Sequence, residues 1–164
     1  MTQPTEPSPA DTAGRVHELG HVVLYVAALD RSLAFYRDIL GWPVITQPSE
    51  FRAAGFRAGN THHDLLLIEA GRGVQPIPSG RRLGMYHVGV KTGDSDDDLR
   101  ALLAGIHARP GLVTVVGAAD GGFVHSLYVH DPDGNEAELY IDVPGCDWND
   151  PGLRSNSPRK PLTL

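Results

Sequence analysis

Apolar and polar positions alternate along LGHVVLYVAAL, residues 19–29, in the manner of a half-buried, β-branched strand. The period then lengthens: Leu33, Tyr36 and Leu40 recur at helical spacing, with Asp30 as the expected cap and Gly41 as the stop. Three short extended runs are predicted near 42–47, 50–57 and 63–69. The segment AGRGVQPIPSGRR, with its Gly and Pro, suits a linker rather than a core element. The order then repeats. MYHVGVKT reads as a strand, and the Asp94–Asp98 region starts a helix carrying Leu99, Leu102, Leu103 and Ile106. Strands are predicted near 112–118, 122–130 and 135–142. Sliding His21 onto His87 without a gap sets Val22 on Val88, Asp30 on Asp96, Leu33 on Leu99 and Leu40 on Ile106. The pattern therefore predicts an α+β fold of two tandem βαβββ modules, with helices on one face of curved mixed sheets and a concave site on the other. Alternation puts His21, Val23 and Tyr25 on one side of the first strand. It puts His63, Leu65, Leu67 and Glu69 on one side of the fourth, and these faces are expected to point inward.

With 164 residues and 41% hydrophobic content, the chain can bury one sizeable core, so the two half-sized units must share it. Residues 1–15 are too poor in large apolar groups to repay the entropy of ordering and are expected to be a disordered tail. Residues 16–145 are read as a single domain, with module one at 17–70, a linker at 71–83 and module two at 84–145; residues 146–164 are read as a C-terminal tail. A net charge of −6 and a pI near 5.7 offer no basic face for phosphate backbones, which argues against a nucleic-acid partner. Arg81 and Arg82 read as a solvated linker pair. The single cysteine, Cys146, has no internal partner and suits a reducing compartment. No signal-like n-region and no run of about 18 apolar residues is found, so the expectation is a soluble, cytoplasmic protein without membrane contact. The run Asp96-Asp97-Asp98 is read as a complement to the helix macrodipole rather than a cation site.

The candidate chemistry lies in three residues. His21 and His87 occupy the same place in the two halves, and Glu138 stands in a strand between Ala137 and Leu139, where an unpaired charge would be costly to bury. Two imidazoles and a carboxylate can hold a divalent first-row metal on one face and leave positions open for water, substrate or dioxygen. Asp131-Pro132-Asp133-Gly134 is a turn by its own chemistry and delivers Glu138 on the strand that follows.

GHVVLYVAALDRSLAFYRDILG, GNTHHDLLLIE, GMYHVGVKTGDSDDDLRALL and SLYVHDPDGNEAELYID, in that order, resemble the vicinal oxygen chelate superfamily. Over residues 17 to 145 the chain looks most like its catechol extradiol dioxygenase branch. The resemblance implies that His21, His87 and Glu138 match the family's iron(II) ligands, with Mn(II), Zn(II) or Ni(II) as other ions. It implies an acid-base role for His63 of the THHDLLL segment, since an imidazole titrating near neutrality suits proton shuttling. Tyr128 matches a tyrosine that hydrogen-bonds substrate oxygens, and the implied substrate is a small catechol-like diol cleaved with O2. One departure stands out: where the dioxygenases carry a histidine in a D-H-G segment, this chain has Gly121, with His125 four residues on. Glu69 is the place to look for a fourth carboxylate ligand, which would point to a glyoxalase-like isomerase or lyase. A metal-free, antibiotic-binding relative is the other alternative. Small members often pair, so a homodimer is among the expected states.

Overall fold

The computed structural model describes residues 16, 18–48, 50–59, 61–147, 149–152 and 159–164. The tail expected over residues 1–15 lies outside the described residues. Module one is built from β1 (Val22–Val26), α1 (Leu29–Tyr36), β2 (Val44–Thr46), β3 (Ala53–Phe56) and β4 (Leu65–Glu69). Module two repeats the order in β5 (His87–Gly93), α2 (Asp96–His107), β6 (Thr114–Asp120), β7 (Val124–His130) and β8 (Glu136–Asp142). A two-residue strand, β9 (Lys160–Pro161), follows within the segment read as a tail and pairs with β6. The sheets run β1-β4-β3-β2 and β5-β8-β7-β6-β9. In each module the first and last strands are parallel and the others antiparallel, as a helical crossover followed by two reversals requires.

The helices lie over one face of these sheets. Leu24, Val26, Leu65 and Leu67 are buried with Leu29, Leu33, Phe35 and Tyr36 of α1; Leu127, Val129, Leu139 and Ile141 are buried with Leu99 and Ile106 of α2. All belong to one apolar cluster, as the short chain demands. Tyr36 donates to Asp131 at 2.9 Å and Arg31 to the Gly111 carbonyl at 2.7 Å, so α1 is fastened to loops of module two.

Two local expectations change. The residue capping α1 is Ala28; Asp30 lies in the first turn and pairs with Arg52 at 2.8 Å. The face of β4 that carries Leu65, Leu67 and Glu69 is the helix side, not the open side. The carboxylate of Glu69 accepts from the Leu29 N–H and from Arg52. Alternation fails for His63 because β4 begins only at Leu65. The acidic run behaves as a helix start: Asp98 accepts from the Asp94 and Ser95 N–H groups and the Ser95 hydroxyl, and Asp97 pairs with Arg100. A Cβ on Gly93 would approach the Asp98 Cβ to 2.5 Å, so glycine is needed for the chain to enter this cap. Among the described residues no helix is long and apolar enough to cross a membrane.

Candidate metal centre

The register of sheet two brings His87 and Glu138 together. Gly89 lies opposite Glu138 in the parallel β5–β8 pair, and Tyr128 lies opposite it in the antiparallel β7–β8 pair. Two residues before Gly89 on the same face of β5, His87 Nε2 comes to 3.1 Å from Glu138 Oε2. Two ligands each about 2.1 Å from one ion, set at right angles, are about 3 Å apart, so this spacing fits a shared cation. The other oxygen, Oε1, accepts from Tyr128 at 2.6 Å and from Ser126 at 2.7 Å. Such outer hydrogen bonds orient a ligating carboxylate. Burial works to raise the Glu138 carboxyl, but the Tyr128 and Ser126 hydrogen bonds and the charges of His87 and Arg159 overcome it, leaving the group below its ordinary value. Burial and the bond to Glu138 push the Tyr128 hydroxyl up, so it stays protonated and donating. His87 Nδ1 is buried without a hydrogen-bond partner, and the Glu136 carboxylate lies 3.8 Å away.

His21 is held in different company. Among the described residues, one group of three metal-binding side chains has ligand atoms all within 4.8 Å of one another, and it is His21, His62 and His63. The expected triad is thus divided within the chain, with His87 and Glu138 in contact on sheet two and His21 beside two imidazoles at the edge of sheet one. The His21 and His63 ring centroids are 4.3 Å apart. Burial lowers the His63 imidazole, and the neighbouring His21 and His62 add to this, so His63 is neutral at neutral pH. Asp64 fixes the preceding loop: its carboxylate accepts from the Ala58 and Gly59 N–H groups and from Thr61.

His125 lies on the helix side of β7, where Nδ1 is 2.6 Å from Asp96. It therefore does not share the face of Glu138, and Gly121 has no replacement from that residue. Two residues near the centre escape sequence reading. Nothing in the spacing of His62 marks it as a third imidazole beside His21 and His63. Arg159, from the presumed tail, sits 5.4 Å from the centre of the Tyr128 ring and gives the site a cation. No local pattern announces it, because the β6–β9 pairing that carries it is long-range. A cavity of about 790 Å³ opens between linker residues 77–82 and Met85, Tyr86, His130 and Glu136, beside this face.

Residues 18–139 match the family described as Glyoxalase/Bleomycin resistance protein/Dioxygenase superfamily. The chain is 30% identical over 139 residues to the catechol-2,3-dioxygenase of Bacillus subtilis, a match spanning 81% of the chain but only 45% of that protein. It is 30% identical over 129 residues to a probable lactoylglutathione lyase of Vibrio cholerae, covering 75% of the chain and 89% of the lyase. A crystal structure of a glyoxalase/dioxygenase from Nostoc punctiforme has the same fold, with a TM-score of 0.64 at 19% identity over 86% of this chain and 99% of that one. The chain thus spans less than half of the dioxygenase and most of the lyase.

Proposed function

Because the chain belongs to the Glyoxalase/Bleomycin resistance protein/Dioxygenase superfamily, we propose that it is an extradiol-type dioxygenase that cleaves a small catechol-like diol with O2. The observation that carries this reading is the donor set: His87 and Glu138 stand in contact, and the corresponding place in module one is Leu66. With His21 the set has three ligands, which leaves positions open on the ion. When bound there, iron(II) supplies chelation of adjacent substrate oxygens and activation of dioxygen.

The remaining chemistry belongs to the chain. Neutral His63 accepts a proton from the diol. Tyr128 donates to Glu138 and lines the face where substrate oxygens would lie. The expected outcome for His63→Phe is retention of iron(II) with turnover about 10²–10⁴-fold slower; an unchanged rate removes His63 from the mechanism.

A homodimer unites the ligand set. His21 shares the open face of sheet one with Val23 and Tyr25, which are 45% and 73% exposed. In our reading, a second copy lays this face against the first copy's His87 and Glu138. His21→Ala and Glu138→Gln proteins are each expected to lose tight iron(II) binding, and mixing them should restore about a quarter of wild-type activity through heterodimers. No recovery would place the complete set within one chain, and stoichiometric tightly bound iron(II) in either variant would refute the triad.

A lyase or isomerase using zinc(II) or nickel(II) is the second reading, favoured by the greater share of the lyase that the chain covers. The engagement of Glu69 with Leu29 and Arg52, and the leucine at 66, count against a four-ligand site. Anaerobic loading with iron(II), followed by catechols and O2, separates the two. Oxygen uptake with a yellow ring-opened product is expected, and no uptake with any diol retires the dioxygenase reading.

A further inference from the structure

We propose that His21, His62 and His63 form a second metal site, complete within one protomer, for a borderline divalent cation such as zinc(II), cobalt(II) or nickel(II). One ligand nitrogen from each ring lies within 4.8 Å of the other two, so small side-chain rotations bring all three onto one ion. The rings are already gathered, with centroids 4.3 Å apart for His21–His63, 4.3 Å for His62–His63 and 5.6 Å for His21–His62. His63 Nε2 is buried and has no hydrogen-bond partner, an arrangement that costs free energy unless something accepts its lone pair or proton. The loop is also preorganised, because Asp64 ties down Ala58, Gly59 and Thr61, and Thr61 in turn donates to the His63 carbonyl. Three imidazoles with an open fourth position suit borderline cations and disfavour magnesium or calcium, which prefer oxygen.

This inference goes beyond the dioxygenase reading: His21 and His63 serve both, and His62 is the residue that belongs to the second site alone. The shared pair gives the site a consequence. A cation held by the three histidines withdraws His21 from the ligand set with His87 and Glu138 and occupies the nitrogen of His63, so the site is inhibitory.

The decisive probe is cobalt(II) alone, titrated into metal-free Glu138→Gln protein, in which the other ligand set is broken. Binding near one ion per chain is expected, with visible d–d bands and displaced ring resonances of His21, His62 and His63. Adding His62→Ala should weaken binding at least tenfold and remove the bands. His62 is exposed, so the fold tolerates this change. Absence of cobalt binding in Glu138→Gln protein, or equal affinity after His62→Ala, would overturn the site. Neither measurement needs turnover, so failure of the dioxygenase reading leaves them intact. In active protein, zinc(II) inhibition should weaken at least tenfold in His62→Ala; inhibition that persists unchanged overturns the inhibitory role.

Discussion

The parallel pairs β1–β4 and β5–β8 superpose in register, yet the positions they share carry different chemistry. Val23 faces Leu66 where Gly89 faces Glu138. Gly55 lies opposite Leu66 where Tyr128 lies opposite Glu138, and Ala53 stands where Ser126 stands. Module two thus holds a carboxylate with two hydroxyl donors on its open face, and module one holds leucine, glycine and alanine. A Cβ on Gly55 would meet Thr46 Cγ2 at 2.8 Å, so module one has no room for a tyrosine at that place without shifting β2. At the entrance to the last strand the contrast reverses: His62 and His63 fall where module two has Gly134 and Asn135. Duplication supplied one scaffold, and its two copies came to hold a carboxylate centre and an imidazole cluster.

The largest expected effect comes from erasing that contrast. Leu66→Glu adds a carboxylate on the face that already carries His21. Metal should bind more tightly, preference should move from iron(II) toward zinc(II) or nickel(II), and oxygen uptake should fall at least tenfold as an open position is lost. Competition dialysis and an oxygen electrode measure both, and unchanged values would break the claimed equivalence of positions 66 and 138. A smaller effect is expected from Tyr128→Phe. Glu138 keeps Ser126 but loses the shorter of its two hydrogen bonds, and metal affinity should drop about 10–100-fold, the usual cost of removing an outer partner of a ligand. Affinity unchanged with turnover reduced would assign Tyr128 to substrate alone.

Much of this was legible in the residues. The period change from strand to helix fixed both βαβ starts, and the register of His21 on His87 exposed the duplication. The placement of Glu138 followed from the turn before it. What escaped depended on contacts between segments far apart in the chain. Glu69 seemed to point with His63, but a strand's alternation holds only within the strand, and the Leu29 N–H at a helix start claimed the carboxylate. Whether His125 substitutes for the histidine absent at Gly121 was left open by spacing, and the fold answers it, since odd positions of β7 face α2 and Asp96. Arg159 reaches Tyr128 through pairing of β9 with β6, a long-range event with no local signature.

The smallest effect sharpens the comparison at the helices. By the same register Tyr36 of α1 corresponds to the apolar Leu102 of α2, and the Tyr36 hydroxyl reaches across to the other module, donating to the buried Asp131 carboxylate. Burial, followed by the charge and hydrogen bond of Asp131, raises the Tyr36 hydroxyl well above its ordinary value, so it remains a donor throughout the physiological range. Tyr36→Phe deletes that donor, while Asp131 keeps the Asp133 and Asn135 N–H groups and the Asn135 amide. The loss should therefore be modest, about 1–2 kcal/mol, read as a lower urea midpoint at unchanged slope. A decrease in slope instead would mean that α1 is the clasp that makes the two modules unfold together, and that without it they unfold in separate steps.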